Sequence, residues 1–179
     1  CIVDTMEHIS EDAIINSSAK VFPANTLLMA MYGATIGRLG IITKEAATNQ
    51  ACCAIFPDNT MDMKYIFYCL LYDRKCIVDK GCGAGQPNIS QKIIKNIEIP
   101  YCDINEQREI ARALTDIDNL IEYLEKLIKK KKAIKQGVMQ ELLTGKKRLS
   151  RFSGEWFNVN MSKNSKIKAR IGWQGLTTA

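Results

Sequence analysis

Between residues 26 and 57 the chain alternates short apolar runs with turn residues. TLLMAMYG ends at Gly33, IGRLGIITK resumes after a tight turn, and TNQACCAIFP closes at Pro57. These runs predict three strands. Gly33, Gly37 and Gly40 are spaced for a bent or bulged hairpin, in which backbone without a Cβ packs closely. Ahead of them, EDAIINSSAK predicts a short helix and a turn. Beyond them, Tyr65, Tyr68, Cys69, Tyr72 and Cys76 recur at spacings of three and four, predicting one amphipathic helix over 61–79. KGCGAGQPNISQK has three glycines and a proline within seven residues and reads as a loop. IIKNIEIPY reads as a closing strand. Mixed strand and helix signals predict an α+β domain over residues 1–102.

From Asp103 the period changes. Asp103 with Glu106 three residues on forms a variant capping box, Asn105 is a second candidate cap, and Gly145 is the stop. The span between them predicts a helix about 60 Å long at about 1.5 Å per residue. Ile110, Ile117 and Leu124 fall seven apart, as do Leu114, Ile121 and Ile128, drawing the a and d seam of a coiled coil. Leu120, Leu127 and Ile134 widen it. Continuing the register puts Lys131 at a and Lys135 at d, so lysines interrupt the seam before Val138 and Leu142 resume it.

Charge sharpens this reading. Residues 1–102 hold nine Lys/Arg against ten Asp/Glu, residues 103–125 two against seven, and residues 126–151 ten against one. The net charge of +6 therefore belongs to the basic end of the helix and to the segment C-terminal to it. Acid first and base last suits the helix macrodipole, but that does not explain lysines inside a seam. Antiparallel pairing with a second helix of the same kind sets each acidic start beside a basic end, whereas parallel pairing stacks like on like. A solvated lysine face on a lone helix, and contact with DNA phosphate, are the other two explanations. Seven cysteines without CxxC spacing point to reduced thiols in a cytoplasmic protein, and the single histidine, His8, disfavours a metal site. No run of about 18 apolar residues and no leader peptide is visible, so no membrane contact is expected. The chain opens on Cys1 and stops at GLTTA, and is expected to be a fragment that begins and ends inside structural units.

Motifs for catalysis are weak. EIPY at 98–101 departs from the Asn/Asp-Pro-Pro-Tyr loop of amino-methyltransferases, and GCGAGQ is not a P-loop. A binding module joined to a spacer, with no cofactor, fits better. Three motifs in sequential order then carry a resemblance: LLMAMYGATIGRLGIITKEAATNQACCAIF, GAGQPNISQKIIKNIEIPY, and NEQREIARALTDIDNLI running on to LLTGKKRL. Together they resemble the specificity subunit of type I restriction-modification enzymes, over nearly the whole chain.

That resemblance implies two target-recognition domains, each reading half of a split DNA site. Each domain is followed by a long helix, and the two helices pair antiparallel as a spacer. Here 1–102 corresponds to the later part of one recognition domain and 103–145 to a spacer helix. Residues 146–179 correspond to a linker and the start of the next domain. The resemblance implies no catalysis by the chain itself, binding of double-stranded DNA, and docking of methyltransferase and restriction subunits. The seam residues Ile110, Leu114, Ile117, Ile121, Leu124 and Ile128 are the expected subunit interface. Residues matching the family pattern are Tyr32, Thr35, Gly37 and Arg38 in the hairpin, Gly81, Gly85, Gln86, Asn88 and Ser90 in the loop, and Gln174, Gly175, Thr177 and Thr178 in the tail. Of these, Tyr32, Thr35, Arg38, Gln86, Asn88, Ser90, Gln174 and Thr177 are the DNA-contact candidates. Amides pair bidentately with adenine and Arg with guanine. Plain turn geometry for the glycines and turn capping for Gln86 and Asn88 are the competing explanations. The family often has a proline near Cys102, just before the Glu106-Gln107 pair, and its absence here puts the local turn in question. A rival of another class is a coiled-coil adaptor whose α+β domain binds protein. A stand-alone methyltransferase is a third reading.

Overall fold

The computed structural model describes residues 1–81 and 88–168. They divide into two units, Cys1–Glu122 and the part from Tyr123 onward, and the division falls inside one long helix.

The first unit is α+β. Helix α1 (Glu11–Ile15) is capped by Ser10, whose side chain accepts the Ala13 N–H. It is followed by β1 (Lys20–Phe22), β2 (Leu27–Ala30), β3 (Leu39–Ile41), β4 (Ala46–Thr48) and β5 (Cys52–Ile55). Strands β3-β2-β5 form one antiparallel sheet with Leu27 opposite both Ile41 and Ile55, while β1 and β4 pair separately. The three expected strands are β2, β3 and β5. Strands β1 and β4 are three residues each, and no longer apolar run marks them in the sequence.

Helix α2 (Met63–Tyr72) starts at Asp62, whose carboxylate accepts the Tyr65 N–H, and α3 (Arg74–Asp79) follows directly. Leu27 and Met29 of β2, Ile66 and Leu70 of α2, Ile77 of α3 and Ile89 form the core. The fold differs from the sequence expectations at three points. The single helix over 61–79 is two helices, because Asp73 has ψ 4°, which turns the chain and brings Ile77 into the core. The buried stripe is Tyr65, Ile66 and Leu70, whereas Tyr72 and Cys76 are exposed. The strand expected from IIKNIEIPY is instead helix α4 (Gln91–Lys95) followed by irregular chain. The Ser90 hydroxyl accepts the Ile93 N–H and starts the helix, and Ile93, Ile94 and Ile97 reach the core at helical spacing.

Helix α5 runs from Ile104 to Leu143. The Asp103 carboxylate accepts the Asn105 N–H at 2.9 Å, and Gly145, with φ +72°, supplies the left-handed stop. In the second unit, after α5, the Arg148 guanidinium stacks 5.1 Å from the Trp156 ring centroid and donates to the Gly154 carbonyl. A one-turn helix, α6 (Met161–Asn164), follows.

Candidate nucleic-acid interface

The β2–β3 connection carries the hairpin candidates. Tyr32 is extended, Gly33–Thr35 form one 3-10 turn, and Gly37 has φ +68°. The Gly37 N–H donates to the Ala30 carbonyl and the Arg38 N–H to the Thr35 carbonyl. Gly37 is buried against α3, and a Cβ there would lie 2.6 Å from Val78 Cγ2. Its smallness is thus a packing need as well as a conformational one. Thr35 and Arg38 stay exposed.

A second segment meets this loop from far along the chain. Tyr32 and Asn88 form an isolated antiparallel bridge, and the Ile89 N–H donates to the Met31 carbonyl at 2.7 Å. Ile89 is fully buried, which pins the segment, while Asn88 and Ser90 on either side are exposed. Tyr32, Asn88 and their neighbours thus share one edge. The Ser90 hydroxyl is used as the α4 cap. Gly81 is also accounted for by packing, since a Cβ there would fall 2.9 Å from the Val78 carbonyl oxygen. Gly85, Gln86, Gln174, Gly175, Thr177 and Thr178 lie outside the described residues.

Two residues to which the sequence reading gave no role of their own hold separate parts of the first unit together. Arg74, at the start of α3, donates from Nε to the Gly37 carbonyl and from its terminal nitrogen to the Ile36 carbonyl, both at 3.0 Å. Gln107 is fully buried. Its Oε1 accepts the Asp62 N–H at 2.9 Å, and its Nε2 donates to the carbonyls of Cys102 (2.8 Å) and Thr60 (3.1 Å). A polar side chain on the apolar side of a helix start was the available signal for Gln107. Arg74 carries no comparable signal, because its partners are main-chain atoms 37 and 38 positions away in sequence.

Helix α5 therefore has two distinct faces. Gln107 and Ala111 are buried in the first unit, and the Tyr68 hydroxyl donates to Asp118 at 2.8 Å beside Thr115. About a quarter-turn around the helix, at about 100° per residue, run the seam residues. Ile110, Leu114, Ile117 and Ile121 in the first unit, and Leu124 and Ile128 in the second, are all exposed.

A cavity of about 910 Å³ opens between β1, β5, α2 and α4 and is lined by Phe22, Cys52, Cys53, Ile66, Leu70 and Ile94 among others. Burial pushes the Cys52 and Cys53 thiols above their ordinary value, which favours the protonated form at neutral pH. Among the described residues no three His, Cys, Asp or Glu side chains are grouped to hold a metal ion, and no helix is long and apolar enough to cross a membrane.

The sequence pattern of the type I restriction modification DNA specificity domain matches residues 2–136. The chain belongs to this family. It is 31% identical over 120 residues to the type I restriction enzyme MjaVIII specificity subunit of Methanocaldococcus jannaschii, covering 67% of this chain and 28% of that protein. It is 37% identical over 135 residues to the putative MjaX specificity subunit of the same organism, covering 75% and 32%. The Escherichia coli EcoR124I/EcoR124II specificity subunit matches at 29% identity over 66% of this chain and 31% of that one. The fold is shared with the S subunit of a type I restriction-modification system from M. genitalium, at TM-score 0.56 and 24% identity, covering 66% of this chain and 32% of that chain. It is also shared with the HsdS subunit of Thermoanaerobacter tengcongensis, at TM-score 0.52 and 18% identity, covering 68% and 30%. The chain thus spans about a third of the length of these specificity subunits.

Proposed function

We propose that this chain supplies sequence-specific recognition of double-stranded DNA within a type I restriction-modification complex. Residues 1–102 act as the later part of a target-recognition domain that reads one part of a bipartite site. Residues 103–145 act as the spacer helix, and residues 146–179 as a linker and the start of a second recognition domain. The observation that carries the reading is the bridge between Tyr32 and Asn88, which brings the 88–90 segment beside the start of the loop that bears Thr35 and Arg38. Thr35, Arg38 and Asn88 are exposed and carry side chains able to pair with base edges or phosphates. The chain contributes binding, not catalysis.

The helix serves assembly in the same reading. Its exposed apolar seam needs a partner, and its charge reverses from acidic over 103–125 to basic over 126–151. Antiparallel pairing with a second spacer helix covers the seam and sets acid beside base. The methyltransferase and restriction subunits dock on the resulting pair.

The test is a gel shift of the complete protein on random and selected duplexes at two salt concentrations. Binding that falls steeply with salt and prefers the selected duplex supports the reading. Absence of DNA binding, with a protein partner captured on the α+β unit instead, favours an adaptor.

A further inference from the structure

Arg38 is an exposed residue on a loop, and a loop reads bases only if something fixes it. Its neighbours Ile36 and Gly37 are fixed from outside the hairpin. The Arg74 guanidinium takes both of their carbonyls at 3.0 Å, using two nitrogens of its planar fork. Arg74 is half-buried, and the same helix presses Val78 against Gly37. The two carbonyls lie immediately before Arg38, whose own carbonyl accepts the Ala30 N–H at 2.9 Å, so the clamp and the strand pairing together set where the Arg38 side chain leaves the loop.

We propose that Arg74 is a positioning residue for DNA recognition, acting through Arg38 and not by touching DNA itself. The inference rests on the DNA-reading role proposed above. The Arg38 contact needs its Cα held in register with a base pair, and bidentate pairing tolerates little displacement. The clamp supplies that register from the folded core, because Ile77, three residues beyond Arg74, is one of the core residues.

The experiment uses the complete protein carrying Arg74→Ala, Arg74→Lys, Arg38→Ala or both alanines. Binding is measured by fluorescence anisotropy on the duplex that the unmodified protein selects from a random library, on its single-base-pair variants and on random duplex. Arg38→Ala and Arg74→Ala should each lower discrimination at the same base pair by about tenfold. Affinity for random duplex should change less than about twofold in each, and the double variant should be no worse than Arg38→Ala, because coupled residues are not additive. Arg74→Lys should behave like Arg74→Ala, since one ammonium does not reproduce the fork. It also carries the comparison if the alanine variant unfolds. Equal loss on every duplex overturns the positioning role and makes Arg74 a phosphate contact, and additive losses of discrimination in the double variant overturn it by making Arg74 independent of Arg38. If Arg38→Ala shifts base preference and neither Arg74 variant does, only the positioning role falls. If Arg38→Ala leaves preference unchanged, the DNA-reading role of the loop falls with it.

Discussion

Replacing Gln107 by alanine should loosen the junction between the α+β part of the first unit and the start of α5. The side chain is fully buried and makes three hydrogen bonds to main chain: from Asp62 N–H, and to the Thr60 and Cys102 carbonyls. Each contributes about 1 kcal/mol net, and a buried donor left alone costs more than that. Loss of one buried methylene adds about 0.8 kcal/mol. The expected destabilisation of the first unit is therefore about 4 kcal/mol. Asp62 also caps α2, so the damage should spread into that helix. Gln107→Met keeps the shape but removes the bonds, and should lose about 3 kcal/mol. The assay is urea unfolding followed by tyrosine near-ultraviolet circular dichroism. Both tryptophans, 156 and 173, lie outside residues 1–122, whereas five of the six tyrosines lie within them. A change under about 0.5 kcal/mol, the size of an ordinary surface substitution, would refute the reasoning.

Ile117→Asp or Leu124→Asp should abolish pairing of α5 with its partner helix, as read by pull-down of the methyltransferase subunit, while the near-ultraviolet signal of the first unit persists, because an unpaired charge in a coiled-coil seam is costly. Seven residues inserted between Leu124 and Leu127, with a matching insertion in the partner helix, should lengthen the spacer by about 10 Å and widen the preferred gap between half-sites by up to about three base pairs. A library of targets with randomised gap length reads this directly, and an unchanged gap in an active protein would leave the helix as a docking surface. Burial, with a lesser effect of Cys69, pushes the Tyr65 hydroxyl from 10.0 up to about 12, and that hydroxyl donates to the Pro100 carbonyl. The folded state holds this proton where the unfolded state has lost it, so stability should fall as pH rises from about 10 to about 12. Tyr65→Phe should be flatter than the unmodified protein across that window in urea melts.

Local chemistry made much of this fold readable. Apolar runs ending in glycine marked β2, β3 and β5, and Asp103 and Gly145 bracketed α5. Two segments departed from their apolar pattern, one because of a cap and one because of a bend. The sequence IIKN has β-branched residues suited to a strand, yet the Ser90 cap makes it α4. Tyr72 fits the helical stripe of α2 by spacing, but the bend at Asp73 leaves it in solvent. For the candidate site, the family resemblance pointed to Arg38 and Asn88, but nothing local reveals that Tyr32 bridges Asn88 across 56 positions of chain. Arg74 was invisible for the same reason. Its role lies in two carbonyl oxygens, and carbonyls leave no mark on a sequence.

The most direct test of the DNA-reading role is selection of bound duplexes from a random library by the complete protein, unmodified and with Arg38→Ala. The expected result is an enriched motif of two specified half-sites separated by a fixed gap. Arg38→Ala should relax one or two base pairs in one half-site and leave the other half-site and the gap unchanged. No enriched motif from the unmodified protein, or weaker binding by Arg38→Ala to every sequence alike, would contradict that role.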